Sequence, residues 1–368
     1  MTVRAMSEQT PPSGTGKLAQ VAAPLQDAPQ PLACERKPPP GYWGMVWRQF
    51  KRNRLAVIGL FVVCALGAIA VFADFLASDK PHYLVYGGRI YVPILYSYLV
   101  DLGLARWPRE VVNVDFRALH AERAIFPPVP YRPNQIDLAN PFAQPSAEHW
   151  LGTDKLGRDV MAGIIHGARI SLSIGFVAVG IAVLIGVSLG ALAGFFGGGV
   201  DLVLSRVFEL MLAIPTFFLL ITITAFLKPS IFYTMIIIGL TSWVGIARFT
   251  RNEFLKVRSL DFVTAATALG LPDRRIMFRH ILPNALAPVL VSVVLGIAAA
   301  ILVESGLSFL GIGVPADTVT WGSLLNEARS NTFAWWLALF PGGAIFIAVL
   351  AYYLVGEGLR DALDPRLK

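Results

Sequence analysis

Two acidic residues, Glu209 and Glu304, stand well inside long apolar runs. A carboxylate in hydrocarbon is costly, so such groups are functional or hydrogen-bonded to a neighbouring helix. No series of Asp, Glu or His accompanies them, and no apolar run carries regularly spaced Arg. The residues therefore disfavour a proton- or sodium-coupled carrier, although backbone-lined ion sites would leave no such mark. For each Glu, a hydrogen bond to an adjacent helix is the favoured reading.

Catalytic patterns are absent. There is no HExxH and no Asp-rich metal motif in an apolar run. His82, His120, His149 and His166 lie in or beside one long polar stretch, while His280 is far away, and the five do not share ligand spacing. Cys34 and Cys64 stand in a Pro-rich tail and an apolar run, so neither a disulfide nor a metal site is expected. Gly14-Thr15-Gly16-Lys17 imitates a phosphate loop, but Pro11 replaces its first glycine and Leu18 its Ser/Thr. The chain is expected to be no enzyme and to hold no metal or cofactor. If it moves a solute uphill, a partner supplies the energy.

The stretch 259–283 is the most informative polar segment. Asp261 is expected to cap a short helix running from Phe262 to Leu269, and Gly270 suits the left-handed residue that ends it. Pro272 fits the first turn of a second helix, where Asp273 adds favourable charge. That helix passes Ile276 and His280 and is expected to stop near Pro283. On the first arm Phe262, Ala265, Ala266 and Leu269 share a face at helical spacing. The small alanines would admit another protein's groove, and an amphipathic helix lying on lipid fits the composition equally well.

The elements that position these residues follow from composition. Of 368 residues 55% are hydrophobic and only 15% charged, against about a quarter charged in a soluble domain. Six apolar runs are long enough to cross a bilayer: 55–76, 170–196, 207–227, 231–247, 286–312 and 335–355. The fold class expected is an all-α membrane protein of six transmembrane helices. Gly186, Gly190 and Gly194 line one helix face and permit close helix packing. Pro215 is expected to adjust the third span locally.

Arg48, Lys51, Arg52 and Arg54 precede the first span, with Trp43, Trp47 and Phe50 beside them as in an interfacial belt. Basic residues also crowd the fourth-to-fifth connection, whereas the third-to-fourth has only Lys228. Both asymmetries place the two termini in the cytoplasm, and the net charge of +7 then reflects membrane topology, with no nucleic-acid partner expected. The expected organisation is a disordered tail at 1–42, an amphipathic lead-in and first span at 43–77, and an external loop subdomain at 78–168. A five-helix core at 169–358 and a cytoplasmic C-terminus at 359–368 complete it. Arg89-Ile90-Tyr91-Val92 reads as a strand within the external part.

Against this background several separated motifs resemble one family. Thr264-Ala265-Ala266-Thr267-Ala268-Leu269-Gly270, then Ile276 and His280-Ile281-Leu282-Pro283-Asn284, is similar to the ATPase-coupling loop of ABC-importer permeases. Leu151-Gly152-Thr153-Asp154-Lys155-Leu156-Gly157-Arg158-Asp159 resembles the segment before span two in the second permease of dipeptide and oligopeptide importers. Glu304 to Gly313 and Gly358 to Pro365 resemble the same subgroup, so the likeness covers 47–368. The long external loop is similar to the subtype associated with microcin C and larger peptides. The family's first coupling residue is usually Glu, and here it is Thr264, which cannot form a salt bridge.

The resemblance implies a type I permease bundle whose spans three to five line the path. It implies coupling through Asp261, Phe262, Thr264, Ala265, Ala266, Leu269, Gly270, Ile276, His280 and Pro283. The implied partners are a second related permease, two cytoplasmic ABC ATPases and an external solute-binding protein, all at a bacterial inner membrane. The implied cargo is peptides. Similar permeases handle nickel complexes, opines or glycosides, and a membrane scaffold, receptor or secondary carrier is the rival from another class.

Overall fold

The computed structural model describes residues 41–108, 114, 116–117, 119, 122–315 and 317–363. The tail to residue 40, with Gly14–Lys17 and Cys34, lies outside them, as do His120 and the end of the chain from Asp364. Elements follow in the order α1 (Tyr42–Phe50), α2 (Arg54–Val71), α3 (Ala73–Leu76), β1 (Tyr83–Tyr86), β2 (Arg89–Tyr91), α4 (Pro93–Asp101) and β3 (Arg123–Ile125). The bundle continues with α5 (Val160–Phe196), α6 (Gly198–Ala213), α7 (Thr216–Phe226), α8 (Ile231–Arg258), α9 (Asp261–Ala268) and α10 (Asp273–Arg275). A π turn, Ile276–Ile281, leads into α11 (Leu282–Phe309), and α12 (Trp321–Ser330) and α13 (Trp335–Leu363) complete the described chain.

Among the described residues five helices are long and apolar enough to span a membrane: α2, α5, α8, α13 and the continuous run Asp273–Phe309. The sixth crossing, expected as one span at 207–227, is the pair α6 and α7, bent by 78°. Pro215 is the reason. It has no backbone N–H to donate, and it drives Ile214 to an extended φ −88°, ψ 121°.

The helices also outrun their apolar stretches. α5 begins at Val160, inside the segment read as external loop, because Asp159 accepts a hydrogen bond from the Ala162 N–H at 2.8 Å and caps it. α8 continues past Ala247 to Arg258, because its polar last turns lie beyond the apolar window.

α5 and α8 form the tightest pair. A Cβ on Gly186 would stand 2.8 Å from the Trp243 carbonyl, and one on Gly190 would run into the Ala247 carbonyl. The glycine stripe therefore sets the helix separation. Leu172, Ile174, Ile238, Ile301 and Leu307 fill the bundle's centre.

The strand expected at Arg89 is β2, in an antiparallel sheet ordered β2-β1-β3. Leu84, Tyr91 and Phe116 form its small core. The sheet region is fastened to the bundle at Asp74, which accepts hydrogen bonds from the Tyr98 hydroxyl and, at 2.8 Å, from the Arg169 guanidinium. Arg169 also donates to the Ala70 carbonyl at 2.8 Å, satisfying an acceptor at the end of α2.

Candidate functional site

The elbow sits at the end of the bundle opposite the sheet, where α5, α8 and α11 meet. Leu260, not Asp261, occupies the N-cap of α9, and its carbonyl accepts from the Val263 and Thr264 N–H groups at 3.0 and 3.2 Å. Asp261 is the first helical residue, where its charge still suits the helix dipole. The expected cap is thus displaced by one position.

Val263 and Ala266 turn inward onto Phe254, Val257, Ile276 and Ile281. The expected shared face is therefore split. Phe262, Thr264, Ala265 and Leu269 point outward, with Leu269 81% exposed, while Ala266 is 6% exposed and belongs to the chain's own packing. Ile276, at 2%, is equally internal.

Gly270 adopts φ +71° as expected, and no atom lies within 4 Å of where its Cβ would stand. Backbone conformation rather than space demands glycine here. The Gly270 N–H donates to the Thr267 carbonyl at 2.9 Å and that of Leu271 to Ala266 at 3.2 Å, closing the end of α9.

Beyond Pro272 the second arm does not stop at Pro283. The π turn joins α10 to α11, with the Leu282 N–H reaching back to the Met277 carbonyl. This wider turn accommodates Pro283, which has no N–H and whose ring would crowd a carbonyl in a regular α-turn. Pro283 is itself exposed. The second arm is consequently one continuous lever with the fifth span. His280 is half-buried, its Nε2 carries no hydrogen bond, and its carbonyl accepts from the Asn284 amide at 2.7 Å.

The outward surface of the elbow combines Phe262, Leu269 and Phe278 with Arg274, Arg275 and Arg279. Sequence reasoning missed Phe278, although an apolar residue between basic neighbours Arg275 and Arg279 was a usable signal. A second missed pair, Asp201 and Arg251, ties α6 to α8, with an Nη2–Oδ2 distance of 2.6 Å.

The two acids of the apolar runs have different fates. Glu209 is 60% exposed at its side chain and pairs with Arg206 on its own helix at 2.5 Å, so it makes no bond to a neighbouring helix. Glu304 is fully buried. Its carboxyl accepts from Ser171 of α5 at 3.2 Å and from Ser308 at 2.8 Å. Ser171 in turn accepts from the Trp321 N–H at 3.4 Å, and the Trp321 indole donates to the Ile164 carbonyl at 3.0 Å. Glu304 thus joins α5, α11 and the start of α12.

The other end of α12 is held by the Leu151–Asp159 motif. Glu327 pairs with Lys155 at 3.0 Å and approaches Arg158 at 3.7 Å. Asp154 accepts from the Arg158 Nε at 2.6 Å and from the N–H groups of Leu156 and Arg158. Asp159 holds His149 Nδ1 at 2.9 Å besides capping α5. The motif is a clasp between the sheet side, α5 and α12. Among the described residues no group of His, Cys, Asp and Glu is arranged to hold a metal ion.

Residues 186–368 match the family described as the binding-protein-dependent transport system inner membrane component. Residues 41–93 match the N-terminal transmembrane domain of oligopeptide transport permease C. A dipeptide transport system permease protein, DppC, of Alkalihalophilus pseudofirmus is 36% identical, covering 89% of this chain and 90% of that protein. The peptidoglycan transport system permease protein YejE of Agrobacterium fabrum is 32% identical, covering 87% and 92%. The oligopeptide transport system permease protein OppC of Bacillus subtilis is 38% identical, covering 67% and 81%.

Proposed function

Because the chain belongs to the family of binding-protein-dependent transport system inner membrane components, we propose that it is one of two permease subunits of an ATP-driven importer of short peptides. The observation that carries the cargo class is the likeness to a dipeptide permease across nine-tenths of both chains. The proposed partners are a second, related permease, two cytoplasmic ATPase subunits and an external binding protein.

The elbow end is the cytoplasmic end in this reading. It carries Arg248, Arg251, Lys256, Arg258, Arg274, Arg275 and Arg279, whereas the short α7–α8 connection at the other end has only Lys228. The sheet and clasp then face outward, and both termini lie inside. The outward residues of the elbow, Phe262, Thr264, Ala265, Leu269 and Phe278, enter a groove on one ATPase. Ala266, Ile276 and His280 support that surface from within.

The mechanism follows from how the elbow is built into the bundle. α9 packs on the end of α8, and the second arm is continuous with α11. Closure of the ATPases displaces both helices together. Glu304 carries the displacement of α11 to α5 and α12 at the opposite end, and the break between α6 and α7 supplies a point of bending. Transport is coupled only if the cargo-loaded binding protein and ATP favour different states of the bundle.

Affinity purification from the native membrane in mild detergent tests the assembly. Recovery of a second permease together with ATPase subunits is the expected result. Repeated recovery of the chain without any ATPase would return the scaffold and carrier readings to equal standing.

A further inference from the structure

Helix α1 buries Val46 and Phe50 against Ala56 of α2 and Ala362 of α13, with Leu359 and Leu363 alongside. It therefore lies beside the first residues of one span and the last residues of another, at the depth of the membrane boundary. Nine residues are too few to cross the bilayer. Its remaining surface is aromatic, with Tyr42, Trp43 and Trp47 between 48% and 57% exposed. Indole rings at that depth suit the interface, with the ring in the acyl boundary and the N–H toward the headgroups.

Arg48, Lys51, Arg52 and Arg54 follow on the same short stretch, and all four are exposed. Among the described residues none of them is in an ion pair. The Lys51 ammonium lies 5.0 Å from the centroid of the Trp47 ring. Asp361 accepts the Asn53 amide at 3.2 Å, and Glu357 faces Arg360 at 4.0 Å. Four cations with no ion-pair partner among the described residues thus border an aromatic face at the membrane boundary.

We propose that α1 and the turn after it form a binding surface for anionic phospholipid, with Arg48, Lys51, Arg52 and Arg54 holding headgroup phosphates and Trp43 and Trp47 seated among the upper acyl chains. Clustered basic residues next to a transmembrane helix attract anionic lipid electrostatically, and the attraction weakens with salt. The docking of α1 on α2 and α13 fixes these groups in place, which a free nine-residue helix could not do. The surface is independent of what the transporter carries.

The test uses the intact assembly, delipidated and offered equal amounts of phosphatidylglycerol and phosphatidylcholine, with retained lipid read by native mass spectrometry. Wild type is expected to retain the anionic lipid with an enrichment of about tenfold or more, given four cations near the surface. The variant R48Q/K51Q/R52Q/R54Q is expected to lose that enrichment, while the charge control R206Q/K256Q keeps it. Should the quadruple variant not assemble, quenching of wild-type tryptophan fluorescence by brominated phosphatidylglycerol against brominated phosphatidylcholine gives the same answer. Trp43→Phe with Trp47→Phe is expected to remove the excess quenching. Equal retention of the two lipids, an enrichment unchanged in the quadruple variant, or displacement of bound lipid by inorganic phosphate would overturn the proposal.

Discussion

Glu304 illustrates how much a single buried carboxyl can organise. Its hydrogen-bonding partners are hydroxyls on α5 and α11, so removing it leaves Ser171 and Ser308 without their acceptor and opens a cavity. Glu304→Ala is expected to destabilise the purified protein by about 3 kcal/mol, read as a lower Tm, while Glu304→Gln retains most of the stability because the amide oxygen still accepts. Equal Tm values for the two variants would contradict this role. Asp159→Ala is expected to cost about 1–2 kcal/mol, since it removes the α5 cap and the partner of His149 together. Some of this was legible in the residues themselves. Gly270 announced its positive φ because few other residues adopt it. Asp261 misled because Asp suits both the N-cap and the first turn, and sequence does not say which register the helix takes. Glu209 and Glu304 looked alike in their apolar runs. Only the three-residue spacing from Arg206 distinguished the acid that pairs locally.

At the scale of elements, the apolar runs located the spans but not their ends. α5, α8 and the fifth span all extend through polar residues that hydropathy excludes, because caps and packed neighbours rather than lipid end them. The break of the third crossing was legible through Pro215, although not its 78° angle. α12 was not legible, since its capping box uses Ser323 where Glu or Gln is usual, and its anchors, Glu304, Lys155 and Trp321, come together only in three dimensions. The glycine stripe gives the sharpest prediction at this scale. Gly190→Leu drives a side chain into the α8 backbone, so the α5–α8 pair cannot close. The variant is expected to elute as aggregate and to be lost from the membrane fraction, whereas Gly180→Leu, at a site with no atom within 4 Å of the added Cβ, is expected to accumulate normally. Normal assembly of Gly190→Leu would show that the stripe does not set the helix separation.

In the whole molecule, one bundle joins two differently built ends. The elbow at one end is built into α8, α9 and α11, and at the other the clasp ties α12 toward α5 while Glu304 links α5, α11 and the start of α12. Composition and six apolar runs made the membrane class readable from the sequence, because lipid imposes long apolar helices whatever a protein carries. The clasp was visible only as a motif of unknown purpose, since its ion pairs join residues as far apart as Lys155 and Glu327. In the proposed mechanism, force applied at the elbow drives transport. This is tested most directly by ATP-dependent uptake of a labelled dipeptide into proteoliposomes holding the full assembly and its binding protein, comparing wild type with Gly270→Val. A β-branched residue at φ +71° strains the turn between the two arms, at a site with no atom within 4 Å of the added Cβ. The variant is expected to assemble and its ATPase partners to bind nucleotide, while uptake falls by an order of magnitude or more. Uptake that proceeds without ATP, or that is undiminished in Gly270→Val, would contradict it.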